Sequence, residues 1–223
     1  YILSCVSRDK RIVTIEDTRE LSLAQFDENG VMVNDVIHLL TKEEPNPVTM
    51  LDLLKLSLRL HPTVLVPAEM RGKEALTVQE AGRTGHTIVS TLHANSARSA
   101  YDRILTMCLE AGTSLSEERL LKNIVEAFPI MLFKMQLPDK SRKYMEIFEA
   151  TGVKDGEVAG NTLFKYEVDH YERDEAGRIT KVVGSHKHVG NISPTLAERL
   201  LVNGVELTEI RRFAGSGYRP EGG

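Results

Sequence analysis

Tryptophan is absent from this sequence, and aromatic residues make up only 5% of it. Base-stacking platforms need several rings, so single-stranded nucleic-acid binding is a poor fit. Cysteine is scarce: Cys5 and Cys108 stand far apart and in no metal-ligand spacing. That excludes a disulfide-rich secreted scaffold and leaves a reducing cytosol as the default. Long apolar runs are missing as well. The longest uncharged, apolar-rich stretch is Ala127 to Phe133, far short of the roughly 20 residues of a membrane span. An excess of positive charge is also lacking: 28 Lys and Arg stand against 32 Asp and Glu, a net −4. A mildly acidic chain does not wrap nucleic acid along its whole surface. Neither a signal-peptide pattern nor an initiator Met is visible, and Tyr1-Ile2-Leu3-Ser4 reads as the continuation of something longer.

What is present is ordinary for a globular protein: 223 residues, 41% hydrophobic and 27% charged. That length fits one to two domains and buries a core without staples. Arg11 to Asp17 is a β-branched run closed by two acids, a buried strand. Asp35 to Pro47 reads as a polar loop, and Thr49 caps a helix that the His61-Pro62 step ends. Val64 to Glu69 is a second strand, weakened by Pro67. A helix over Lys73 to Gly82 and a strand over Thr87 to Ala94 follow. From Ala97 an i, i+3, i+4 stripe puts Cys108 on a core face. Ser114 with Glu117 suggests a capping box for the next helix. The pattern then changes to three alternating segments separated by Asp155-Gly156 and Ala176-Gly177, a three-stranded meander. Helical turns follow from Ser193-Pro194 and from Leu207. The reading is therefore α/β with mostly parallel strands over 1–135, a small β-meander-plus-helix unit over 136–214 and a disordered tail over 215–223.

Three constellations carry chemistry. Glu16-Asp17 at a strand end suits Mg²⁺ held through water, or a base that orients attacking water. On spacing alone, a solvated strand exit with caps for the next turn is the plainer reading of the pair. The strand ending at Glu69, with Arg71 two residues on, has the shape of a Walker B element. An ordinary buried strand meeting solvent has that shape too. His86, flanked by Gly85, and His93 at a strand end can both reach one polar cleft and sense a γ-phosphate. Two histidines satisfied by backbone are the plainer alternative. A zinc site needs more ligands than these, and Cys108 lies on the core stripe. Arg59, Arg71 and Arg83 are candidate phosphate clamps or fingers acting on a neighbouring subunit, or simply solvated surface charges.

In this order the pieces resemble one family. Arg11-Ile12-Val13-Thr14-Ile15-Glu16-Asp17-Thr18-Arg19-Glu20-Leu21 resembles the Asp box of the type II/type IV secretion ATPases. Leu58-Arg59-Leu60-His61-Pro62 and Ala68-Glu69-Met70-Arg71-Gly72-Lys73-Glu74-Ala75 resemble their Walker B segment. Thr84-Gly85-His86 and Ser90-Thr91-Leu92-His93-Ala94-Asn95-Ser96 resemble their His box. The strip Ile124 to Gln136, Asn161-Thr162-Leu163-Phe164, Ser193-Pro194-Thr195-Leu196 and Arg199-Leu200 are similar to the tight-adherence pilus and conjugation branch. The departures are Thr63 for a usual Asp, Ala68 for a usual Gly, Pro67 for an aliphatic and Leu51 for a frequent Arg.

The resemblance implies a RecA-like P-loop NTPase core using ATP and Mg²⁺. It implies a homo-oligomer, a hexameric ring in the intact protein. The ring would be cytoplasmic and peripheral at the inner face of the cell membrane, with inner-membrane secretion or pilus platform proteins as partners. By motif, Glu16 would position or activate water, and Glu69 would hold Mg²⁺, through water. Asp17, Arg19, His86 and His93 would support or sense the nucleotide, and Arg59, Arg71 and Arg83 would add charge there or at the subunit boundary. No Gly-x-x-x-x-Gly-Lys-Ser/Thr occurs in the chain, and that loop binds the β- and γ-phosphates. The expectation is thus a C-terminal piece of a longer ATPase, itself inactive and monomeric or weakly dimeric. A non-catalytic oligomerisation and docking module is the alternative, and the −4 charge argues against a motor gripping DNA directly.

Overall fold

The computed structural model describes residues 2–220. Two compact units divide it, one reaching to His93 and resuming over Asp102–Phe128, the other made of Ala94–Tyr101 and the chain from Pro129 onward.

The first unit carries a parallel sheet. Its strands are β1 (Ile12–Glu16), β2 (Val36–Leu40), β3 (Val64–Pro67) and β4 (Thr87–Ile88), in the order β2-β1-β3-β4. Side chains alternate across a strand, so Ile12, Thr14 and Glu16 share one face. On that face Ile12, Val64 and Val66 form a core cluster, joined by Leu3, Val6, Leu21, Leu23, Val36 and Val89. Its helices are α1 (Met50–Ser57), α2 (Glu74–Arg83), the part of α3 (Ala97–Glu110) from Asp102 onward and α4 (Glu117–Ala127), the start of α3 up to Tyr101 belonging to the second unit. Helix α1 packs against β1 and β3, and α2 against β4 and α4. Thr49 caps α1 through a full capping box with Asp52. Cys108 is fully buried on α3, as its stripe requires.

Three local readings change. Val36–Leu40 is not loop but the edge strand β2, paired to β1 from Ile12↔Val36 to Glu16↔Leu40. Four apolar residues in five were masked by the acids and prolines that follow them. The strand expected over Thr87 to Ala94 stops at Ile88. Val89 donates to the Leu65 carbonyl, and the next donor in the ladder would be the amide of Pro67, which has no N–H. Pairing resumes only as the single bridge Glu69↔Thr91. The cap of α4 is Ser116, whose hydroxyl accepts the Arg119 N–H at 3.3 Å. The helix begins at Glu117, so Ser114 lies too far upstream to cap it.

The second unit holds an antiparallel sheet of four consecutive strands, not three: β5 (Ile130–Gln136), β6 (Arg142–Lys154), β7 (Glu157–Arg173) and β8 (Ile179–His188). The change from helix to sheet comes at Phe128-Pro129, because the residue before a proline leaves the helical region. Ile130–Gln136 therefore belongs with the sheet, earlier than the boundary expected at 135/136. Asp155 and Gly156 both have positive φ, 53° and 80°, which is the tight hairpin turn that matches strand twist. Arg98, at the start of α3, lies 4.4 Å over the Phe148 ring and donates to the Val158 carbonyl at 2.7 Å. Helices α5 (Pro194–Val202) and α6 (Leu207–Ala214) follow. Buried Glu149 accepts from both the amide and the hydroxyl of Ser193, the cap of α5. Within 215–220, Tyr218 donates to Glu198 at 3.2 Å and accepts from Arg211. Residues 221–223 lie outside the described residues. Among the described residues no helix is long and apolar enough to cross a membrane.

Two positions test this architecture. Gln79 on α2 is fully buried, and among the described residues neither side-chain amide atom has a hydrogen-bond partner. An unsatisfied buried polar group costs about 1–3 kcal/mol. The near-isosteric Gln79→Met should raise Tm, by about 2–4 °C for each kcal/mol recovered. A fall in Tm would mean that the amide is satisfied in solution. At Gly160 on β7, an added Cβ would lie 2.0 Å from the Glu149 carbonyl oxygen and 2.6 Å from Phe148 Cζ. Gly160→Ala should destabilise by roughly 1–3 kcal/mol, read as a lower urea midpoint.

Candidate active site

Open parallel sheets bind ligands at the carboxyl ends of their strands. In this sheet β1 ends in Glu16, Asp17 follows it, and β3 leads into Glu69 and Arg71. The edge therefore gathers three carboxylates and one guanidinium from two adjacent central strands.

Glu16 is 1% exposed. Its Oε1 accepts the backbone N–H groups of Glu20 and Leu21 at 2.9 and 3.0 Å. Its Oε2 accepts the Thr14 hydroxyl at 3.2 Å. The first pair of bonds folds the segment after Asp17 back over the sheet face, where Leu21 and Leu23 join the apolar cluster. The same carboxylate still lines a cleft of about 290 Å³, together with Asp17, Thr18, Glu69, Arg71 and Thr91. A wider hollow of about 1010 Å³ shares Asp17, Thr18, Met50 and Arg71 and runs on to Thr41, Lys42 and Thr49.

Glu69 and Arg71 form the charged centre. Arg71 donates to Glu69 Oε2 at 2.6 Å and reaches Asp17 Oδ2 at 3.4 Å. Asp17 also accepts the Thr41 hydroxyl at 2.9 Å. The turn bearing Arg71 is held by Glu74, whose carboxylate accepts the N–H groups of Arg71 and Gly72 at 2.6 and 2.8 Å. His93 Nε2 lies 3.4 Å from Glu69 Oε1, with its side chain 96% exposed. The hydrogen bond from Arg71 holds the Glu69 carboxyl below its usual range, and Glu69 in turn raises the Arg71 guanidinium. Glu69 is thus an anion at neutral pH and no proton donor.

That donor set fits a magnesium ion of one kind only. Mg²⁺ takes oxygen ligands, keeps several waters and uses one or two carboxylates beside substrate phosphates. Glu69 and Asp17 supply such carboxylates. Both Glu69 oxygens already face cationic or donor groups, so contact through a water suits it better than direct ligation. Among the described residues no cluster of three His, Cys, Asp or Glu forms a protein-only cage.

The other sequence candidates lie elsewhere. Thr87, the residue after His86, pairs with Val64 at the start of β3, so His86 sits at the sheet edge opposite Glu16 and Glu69. Its Nδ1 lies 3.3 Å from the Ala81 carbonyl oxygen. The expectation that His86 and His93 share one cleft therefore does not hold within the chain, because parallel strands begin at one edge and end at the other. Arg83 pairs with Glu126 on α4 at 2.8 Å. Arg59 is exposed in the turn Leu58–Leu60, which also precedes β3. Arg19 is exposed on the segment after β1.

Sequence reading missed His38. It lies on β2, 87% removed from solvent, with Nδ1 2.8 Å from Thr14 Oγ1 and 3.7 Å from Glu16 Oε2. The signal was a short Val-Ile-x-Leu-Leu run with one histidine in it.

The model of the family described as type II/IV secretion system protein matches residues 1–147. The conjugal transfer protein TrbB of Rhizobium radiobacter is 29% identical over 168 residues, 75% of this chain and 45% of TrbB. The type IV secretion system protein PtlH of Bordetella pertussis is 39% identical over 106 residues, 45% of this chain and 29% of PtlH. The crystal structure of the VirB11 ATPase from the Brucella suis type IV secretion system, in complex with sulphate, aligns with a TM-score of 0.55 and 25% identity. That alignment covers 66% of this chain and 44% of the VirB11 chain. The matches thus span less than half the length of these relatives. The parallel sheet with its helices is the RecA-like core that the motifs imply. With the matched region running through the Asp-box, Walker B and His-box segments, the chain belongs to the type II/IV secretion system protein family.

Proposed function

We propose that this chain is part of an ATP-hydrolysing oligomeric motor that powers secretion, pilus assembly or conjugative transfer. The observation that supports it best is the convergence of Glu16, Asp17, Glu69 and Arg71 at the carboxyl edge of the parallel sheet. In this reading Glu16 orients the attacking water and takes its proton. Glu69 holds Mg²⁺ through a water, and the ion neutralises charge on the phosphates. Asp17 and Arg71 keep the edge ordered between turnovers, and Arg71 swings to the phosphates when they arrive. His93, exposed beside Glu69, is the γ-phosphate sensor. Arg59, Arg83 and His86, at the far edge, serve a neighbouring subunit of a hexameric ring. The ring works at the cytoplasmic face of the inner membrane against platform proteins and grips no nucleic acid itself.

The phosphate-binding loop that such chemistry needs is not among these 223 residues. We place turnover in a protein where these residues are joined to one. That absence is also what favours the second reading, a module that keeps only oligomerisation and docking surfaces.

Nucleotide affinity and ATPase turnover, measured on the 223-residue chain and on the complete gene product, separate the two. The complete product should turn over ATP and the 223-residue chain should not. In the complete product Glu16→Gln, which keeps an acceptor for the Glu20 and Leu21 amides, should lower kcat about 10²–10⁴-fold, the usual worth of a general base. Glu69→Gln should lower it comparably and weaken the dependence on Mg²⁺. Turnover by the short chain would overturn the dependence on an added P-loop. A silent complete product that also fails to assemble with ATP would leave the docking module.

A further inference from the structure

Glu16 does not stand alone at the end of β1. Behind it, on the same sheet face, lie Thr14 on its own strand and His38 on the neighbouring strand. The hydroxyl of Thr14 touches both, at 3.2 Å from Glu16 Oε2 and 2.8 Å from His38 Nδ1. His38 Nε2 is buried and, among the described residues, has no partner.

Proton counting orders this chain of groups. A threonine hydroxyl has one proton to give and lone pairs to accept with, and an ionised carboxylate only accepts. For Thr14 to satisfy Glu16, its proton must point at Oε2. The nitrogen 2.8 Å behind it must then donate, so His38 carries its proton on Nδ1. Nε2 is left as a bare acceptor, not as a buried, unpaired N–H. With the opposite tautomer Thr14 would give its proton to His38 and turn a lone pair toward the carboxylate.

The carboxylate has about four acceptor positions. Glu20 and Leu21 use two on Oε1, and Thr14 uses one on Oε2. One position on Oε2 remains for a water in the cleft that Glu16 lines. The Thr14 bond occupies the other position on Oε2 and, with the two amide bonds on Oε1, holds the carboxylate against turning about its last torsion.

We propose that His38 is a positioning residue for Glu16, acting through Thr14, and that the relay aims the free lone pair of Oε2 at the attacking water. The proposal rests on Glu16 as the water-activating group. A merely structural role fits poorly. The cluster on this face is apolar, Ile12, Val36, Val64 and Val66 among it, and an imidazole with a buried unpaired nitrogen is a costly way to fill it.

Three readouts test the relay. First, ¹⁵N–¹H NMR of the imidazole in the 223-residue chain should show His38 as the neutral Nδ1–H tautomer. An Nε2–H tautomer or an imidazolium overturns the relay. Second, in the complete gene product His38→Leu and Thr14→Val should each lower kcat about 10–100-fold, the range for losing an outer-shell partner, with KM for ATP little changed. The double variant should fall no further than the worse single one. Additive losses, or wild-type kcat in His38→Leu, overturn it. Third, His38→Asn should retain most of kcat, since its amide places an N–H donor near the lost Nδ1–H. His38→Leu should at the same time keep or raise Tm, whereas a packing role predicts a lower Tm and no rescue by Asn. If the wild-type complete product turns over no ATP, the reading of Glu16 as the base has failed, and the NMR result alone decides whether the relay exists.

Discussion

A buried carboxylate at the end of β1 is the constraint on which the first unit depends. Glu16 sits in a strand whose other residues are buried, where an ionised group is costly unless donors surround it. The chain supplies three: two backbone amides from the returning segment and one hydroxyl from two residues upstream. Meeting that demand bends the chain after Asp17 back over the sheet. The bend delivers Leu21 and Leu23 to the apolar face and leaves Asp17 exposed at the edge. The same demand thereby closes a core and opens a cleft.

The edge charges are arranged on that base. Arg71 is pinned from behind, through its own amide, by Glu74 and reaches forward to Glu69 and Asp17. It is 66% exposed, so its ion pairs contribute little to stability. Their effect is on state: they lower the Glu69 carboxyl and hold Glu69, Arg71 and Asp17 together at the edge. An exposed guanidinium that holds two carboxylates is also the group free to exchange them for an anion.

The second unit repeats the device with a different outcome. Buried Glu149 takes its donors from Ser193, and the result is a fixed entry to α5 instead of a cleft. Burial of an acid therefore does not by itself mark a site. Glu16, unlike Glu149, is backed by Thr14 and His38 and lines a cleft at the sheet edge.

Much of this was legible in the residues. The period-2 and period-3.6 patterns place most helices and the central strands, and the acids closing β1 and β3 mark the carboxyl edge. Local rules suffice there because alternation, caps and prolines act within a few residues. Where a long-range partner decides, local reading fails. Val36–Leu40 is a strand because β1 offers it a ladder. β4 is short because Pro67, a residue of its neighbour, withholds one amide. Sequence spacing suggested that His86 and His93 share a cleft, but the direction of a parallel strand puts them at opposite edges. His38 could not be tied to Glu16 from sequence, since only strand register brings residues 22 apart into one polar relay. By itself the sequence determined the α/β class and which residues close the two central strands, because residue type and local period carry those. Tertiary structure alone decided which charges meet, which edge each occupies and how Glu16 is held, because pairing and register are properties of neighbouring strands and not of any one segment.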